Sequence, residues 1–161
     1  MSTEARDGFG HSLTLVIYSS LTVFAVVAAS TWKGAVKESG ELILLTVASA
    51  LSVAVAHGWA GLIEHRADHS QSRLSLSVCE VSRHTFALML PAALACAAIL
   101  LSTLFDGSFE AAVRASLLLL TACFSIASGS LARRGGMSWP RSVGWAVAGM
   151  LVGVVLVLLK A

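Results

Sequence analysis

The residues best suited to chemistry in this chain lie in "HGWAGLIEHRADH", running from His57 to His69. On a continuous helix Glu64 and Asp68 pair at i, i+4, and His65 and His69 do the same, so the four gather at one helix end. Imidazole and carboxylate together suit first-row divalent metals such as iron, manganese, cobalt or zinc. Two His at i, i+4 can chelate one ion from a single helical face. The competing reading of "EHRADHSQSR" is a solvated helix end. His57 differs from the rest because it lies inside an apolar run, where an ionisable side chain is costly and faces protein or water. Imidazole changes charge near neutral pH, so this position could relay protons or bind a metal. It could equally be a neutral His hydrogen-bonded to a neighbouring helix, through Tyr18 or a serine of the fourth apolar run.

The elements that must position these groups are long and apolar. Five stretches, 12–31, 41–63, 85–105, 111–131 and 142–159, each reach or nearly reach the roughly 20 residues that cross a ~30 Å hydrocarbon core. Backbone amides cannot be left unpaired in lipid, so such runs must be helical. Hydrophobic residues make up 57 % of the 161 residues and charged residues 12 %, about half the charged share of a soluble domain. The fold class expected is therefore all-α: one polytopic membrane domain of five helices. Glu4, Arg6 and Asp7 precede the first run with near-balanced charge, unlike a signal peptide, so it is expected to be retained.

In the second run Thr46, Ala50, Val53, His57, Gly61 and Glu64 recur at steps of three or four and form one stripe. His57 lies about 16 residues into that run, some ~24 Å along a helix, toward its far end. Thr121, Ser125 and Ser128 mark one side of the fourth run. Tyr18, Thr46, Gly61 and Ser125 are thus candidates to line a path or to pack helices, as polar groups do in membranes. Gly149 and Gly153 make a GxxxG step in the last run, a packing feature within the fold or between protomers. Pro91 is expected to kink the third run and free a carbonyl.

The connections are short, with one exception. "FDGSFE" reads as a tight turn, and in "ARRGGMSWPR" Gly135 and Gly136 stop one helix while Pro140 starts the next. The second connection, 64–84, is longer. Leu74, Val78 and Val81 at i, i+4, i+7 predict a short amphipathic helix on the cytoplasmic face. One side of the bundle carries Arg6, Arg66, Arg73, Arg83, Arg133, Arg134 and Arg141; the other carries Lys33, Lys37, Arg114 and Lys160. Seven against four places the N-terminus in the cytoplasm and the C-terminus outside a cell membrane. Trp32, Trp139 and Trp145 near the segment ends suit interfacial anchors.

Enzyme signatures are absent. There is no nucleophile elbow, P-loop or HExxH, and "EHRADH" has the wrong order for a zinc protease. Cys79, Cys96 and Cys123 have no metal spacing, and a basic stripe for nucleic acid is missing. No cofactor is implied with certainty; a divalent metal ion is the one candidate.

The order "LLLLTACFSIASGSLARRGGMSWPRSVGWAVAGMLVGVVLVLLKA" resembles the last two helices of the vacuolar iron transporter family, with "ARRGG" and "SWPRS" between them. The likeness covers about a third of the chain. It implies a five-helix fold with a cytoplasmic N-terminus, an external C-terminus and an insertion between helices 2 and 3. "AHGWAGLIEHR" also looks like a segment of small actinobacterial membrane proteins. The chain departs from the family's pattern: residues 13–30 contain no Asp or Glu, the second run has no Met, and the insertion shrinks to about twenty residues with Glu64, Asp68 and Glu80.

Two functions follow as expectations. One is a homodimeric, proton-coupled transporter of divalent metals, with His57 and Glu64 at the cytoplasmic entry and His65, Asp68 and His69 capturing the ion. The other is a structural or interaction protein that keeps the fold and moves nothing.

Overall fold

The computed structural model describes residues 3–68, 74–105 and 107–158, with side chains at 12–32, 34–60, 63, 82, 84–105 and 107–155. The chain forms α1 (Thr3–Thr31), α2 (Ser39–Asp68), α3 (Leu74–Leu104), α4 (Phe109–Arg134) and α5 (Trp139–Leu158), with a 3-10 turn at Trp32–Gly34. No strand occurs among the described residues. Four helices hold stretches long and apolar enough to cross a membrane: Ser12–Thr31, Ser39–Ala60, His84–Leu104 and Phe109–Arg134. The apolar stretch described in α5, Trp139–Val155, is shorter.

The outer surface explains why these helices need lipid. Leu44, Val55 and Ile63 on α2, Phe86 and Leu104 on α3, Phe105 just after it, Ile126 on α4 and Met150 and Leu151 on α5 are all more than half exposed. Helices that are apolar on the outside as well as the inside belong in a hydrocarbon medium, where no polar face is required. The molecule is a membrane-spanning helix bundle.

Helices α1, α3 and α4 pack on one another and form its centre; α2 lies against α3 and α1, and α5 against α4. The interior has two layers. Val23, Phe24, Val27, Leu42, Ala50, Ala95, Ile99, Leu117 and Leu120 belong to the layer nearer the α1–α2 turn. Leu15, Val16, Ala54, Ala87, Leu88 and Ala127 belong to the layer nearer the α2–α3 connection. Alanine is frequent where helices cross, since small side chains let backbones approach and gain dispersion contacts that lipid would otherwise offer.

The termini follow their sequence cues. Ser108 caps α4, its hydroxyl accepting from the Ala111 amide at 3.2 Å. At the other end Gly136 takes φ +81, and the Gly136 and Met137 amides donate to the Arg133 and Ala132 carbonyls. This is a Schellman stop, which needs a residue without Cβ at the left-handed position. The Asp of the expected Asp-Gly turn, Asp106, lies outside the described residues, while the Gly107 amide donates to the Ser102 carbonyl at 2.9 Å.

Pro91 is buried inside the continuous α3. Its ring leaves the Ala87 carbonyl without its usual amide donor. One residue on, the Leu88 carbonyl accepts from the Ser19 hydroxyl of α1, itself buried. A serine from a neighbouring helix thus ties the weakened turn, as membrane helices require near proline.

The second connection differs from expectation. Helix α2 runs on to Asp68 and α3 starts at Leu74, so 74–84 forms the first turns of α3 rather than a separate amphipathic helix. Nothing between Leu74 and His84 breaks a helix, because neither Gly nor Pro occurs there, and extending a formed helix costs little once it is nucleated. Helix α1 likewise extends outward past the apolar run to Thr3.

Candidate functional site

Two histidines meet where α2 and α3 leave the apolar zone. His57 lies three residues before the end of the α2 stretch at Ala60, and His84 opens the stretch of α3. Their ring centroids stand 6.5 Å apart with the planes at 62°. Both residues are half-buried, and the Nε2 atom of His84 is shut off from solvent. Below them, toward the bundle interior, lies the layer of Ala54, Ala87 and Leu88, with Val53 packed against it.

The inward stripe of α2 sets this geometry. Leu42, Thr46, Ala50 and Ala54 are buried, and Val53 and His57 follow at the same helical face, half-buried. The antiparallel return of α3 then brings a residue 27 positions later to the same depth. His84 is the residue that sequence reasoning missed. Its signal was available in principle, because residues equidistant from the centre of a helical hairpin stand opposite each other.

With metal–nitrogen bonds of about 2.1 Å, two imidazoles sharing one cation hold their centroids roughly 5–6.5 Å apart. The observed separation falls at the wide end of that range. An ion held by both rings would therefore sit nearly in line between them or draw them together by up to about an ångström.

The other expected residues are placed as follows. Thr46 is fully buried on the α2 stripe, with its hydroxyl lacking a hydrogen-bond partner. Tyr18 is 57 % exposed, on the outside of α1 in the single chain. Ser125 is half-buried and donates to the Thr121 carbonyl of its own helix at 2.8 Å. Gly149 and Gly153 both face α4 in the same chain. A Cβ at Gly149 would meet the Phe124 ring at 3.1 Å, and one at Gly153 would meet the Thr121 side chain at 2.3 Å. Gly61, Glu64, His65 and Asp68 lie on the continuous α2 backbone, and their side chains fall outside the described residues, as does His69 altogether. Among the described residues no three of His, Cys, Asp and Glu come together as a metal-holding group.

The hydroxyls of the bundle mostly serve their own helices. Ser20 donates to Val16, Ser116 to Val113, Thr121 to Leu117 and Ser128 to Phe124. Ser19 instead crosses between helices to the Leu88 carbonyl, and Ser20 also reaches the Cys123 Sγ of α4 at 3.8 Å. No protein-family model matches this chain, and neither a curated protein nor a solved structure is similar enough to match it.

Proposed function

We propose that this chain is a small transporter of divalent metal ions of the iron and manganese class, coupled to protons, with His57 and His84 at its cytoplasmic mouth. The observation that carries the reading is the meeting of two imidazoles from different helices at the edge of the apolar zone. Ionisable side chains at that depth are costly and mark ion or proton pathways more than they mark packing. Imidazole serves both tasks, as a ligand when neutral and as a proton carrier. Because α2 continues to Asp68, Glu64, His65 and Asp68 extend the same helix outward from the pair and supply oxygen and nitrogen donors for ion capture.

In this reading α5 is the fifth span, the arginine-bearing end faces the cytoplasm of a cell membrane, the C-terminus is outside, and the chain works as a homodimer. The architecture would be that of the vacuolar iron transporters, with the histidine pair in place of that family's acidic and methionine path residues.

A second reading has its own support. Interior hydroxyls such as those of Ser116 and Thr121 bond within their own helix, and alanine-rich layers fill the centre, as in a scaffold that moves nothing. Uptake of iron(II), manganese(II) and cobalt(II) into proteoliposomes, with and without a pH gradient, separates the two. Transport predicts uptake that depends on the gradient; a scaffold predicts none for any ion from folded protein.

A further inference from the structure

The α4–α5 hairpin holds a concave feature whose lining does not include the histidines. A cleft of about 370 Å³ opens between the end of α4 and the start of α5. Its inner wall is apolar and small, formed by Ile126, Gly129, Val143 and Ala146. Its mouth carries Arg133, Arg134 and Trp139, with Ser130 and Ser142 between the two zones. Arg133 stacks over the Trp139 ring at 5.8 Å and donates to the Met137 carbonyl at 3.2 Å, which holds its guanidinium at the rim. Both arginines are exposed, as is Trp139.

Charge favours one kind of occupant. From residue 111 to the C-terminus the sequence has no Asp or Glu, while Arg133, Arg134 and Arg141 cluster within nine residues. The connection that forms the mouth therefore carries three arginines and no carboxylate of its own. Guanidinium groups bind phosphate oxygens through paired N–H donors, and a tryptophan at a helix end lies at headgroup depth. An apolar wall running down from a cationic mouth between two membrane helices is shaped for a molecule with a phosphate at one end and hydrocarbon at the other.

We infer that this cleft binds one anionic glycerophospholipid, its phosphate at Arg133 and Arg134 and the top of an acyl chain against Ile126, Val143 and Ala146. The lipid fills the notch between α4 and α5 and fixes α5 against the bundle. It is a built site rather than a diffuse attraction of a positive loop for the anionic leaflet. That distinction sets the test, since Arg141 carries the same charge in the same connection but does not line the cleft.

The experiment uses the full chain in mixed micelles of phosphatidylglycerol and phosphatidylcholine, with retained lipid counted by native mass spectrometry. The expected result is one phosphatidylglycerol kept per chain in preference to phosphatidylcholine. R133Q/R134Q should lower that preference about 25-fold, given roughly fivefold for each basic residue, while R141Q changes it by less than about twofold. Ser130→Leu fills the cleft without altering charge and should lower retention as well; it carries the test if the double arginine variant does not fold. Equal losses in R141Q and R133Q/R134Q would overturn the site in favour of bulk attraction. So would equal retention of both lipids, or full retention in folded Ser130→Leu. Displacement of the lipid by glycerol 3-phosphate at matched concentration would also overturn it, because a soluble anion would then be the ligand.

Discussion

Where α4 turns into α5, the chain relies on residues that lack side chains: Gly136 makes the stop at φ +81, and Gly149 and Gly153 bring α5 onto Phe124 and Thr121. Where α2 and α3 come together at the same end of the bundle, two half-buried imidazoles stand between the helices instead. The first hairpin is fixed by steric fit, which in lipid is a main source of helix association. The second keeps polar, ionisable groups at a depth where they are costly, although alanine or leucine would pack there without that cost. Steric fit accounts for the glycine contacts of α5 on α4, whereas the paired imidazoles of α2 and α3 are not what packing alone would select.

The comparison is open to attack at several points. The largest stability effect should come from Gly153→Leu, because a Cβ there already falls within 3 Å of three Thr121 side-chain atoms. Overpacking of this kind should cost about 3 kcal/mol in thermal unfolding in detergent. Adding Thr121→Gly in the same chain should recover part of it. Gly144→Leu has open space around it and should leave the melting temperature nearly unchanged.

Ser19→Ala removes the tie between α1 and the proline turn of α3. Hydrogen bonds between membrane helices contribute on the order of 0.6–1.7 kcal/mol, so a loss of about 1 kcal/mol in denaturant titration is expected. Thr46→Val should act in the opposite direction. It keeps the shape and deletes a buried hydroxyl without a partner, so stability should rise by about 1 kcal/mol. A Thr46→Val protein that is no more stable yet loses ion uptake would move this hydroxyl from packing to the path. The smallest effect belongs to Glu110→Gln. Its 3.6 Å pair with Arg114 is exposed on both sides, and its removal should leave unfolding unchanged within error.

Much of the fold was legible in the sequence because its signals are local. Apolar runs in a chain with few charges dictate helices, and Gly135-Gly136 before Pro140 dictates a stop and a restart. The α2 stripe was legible because helical period assigns Thr46, Ala50 and His57 to one face. The outward extension of α2 and α3 was not, since no breaker residue marks where a polar helix end stops. Gly149 and Gly153 announce a close approach without naming the partner; the structure supplies α4 of the same chain. The His57–His84 meeting was hidden for a different reason. It depends on the register of a hairpin, which is set by the length of the 64–84 connection and not by either residue's neighbours.

The central claim is that the two histidines act as one site, and a mutant cycle in metal uptake tests it most directly. Wild type, His57→Ala, His84→Ala and the double variant would be reconstituted in proteoliposomes, and iron(II) and manganese(II) uptake followed under an inward pH gradient. If the rings share one ion or one proton, each single variant should lose about tenfold or more, and the double should lose no more than the worse single, as groups acting as a unit do. Unchanged uptake in both single variants, from folded protein, would contradict the account and leave the pair as a packing feature.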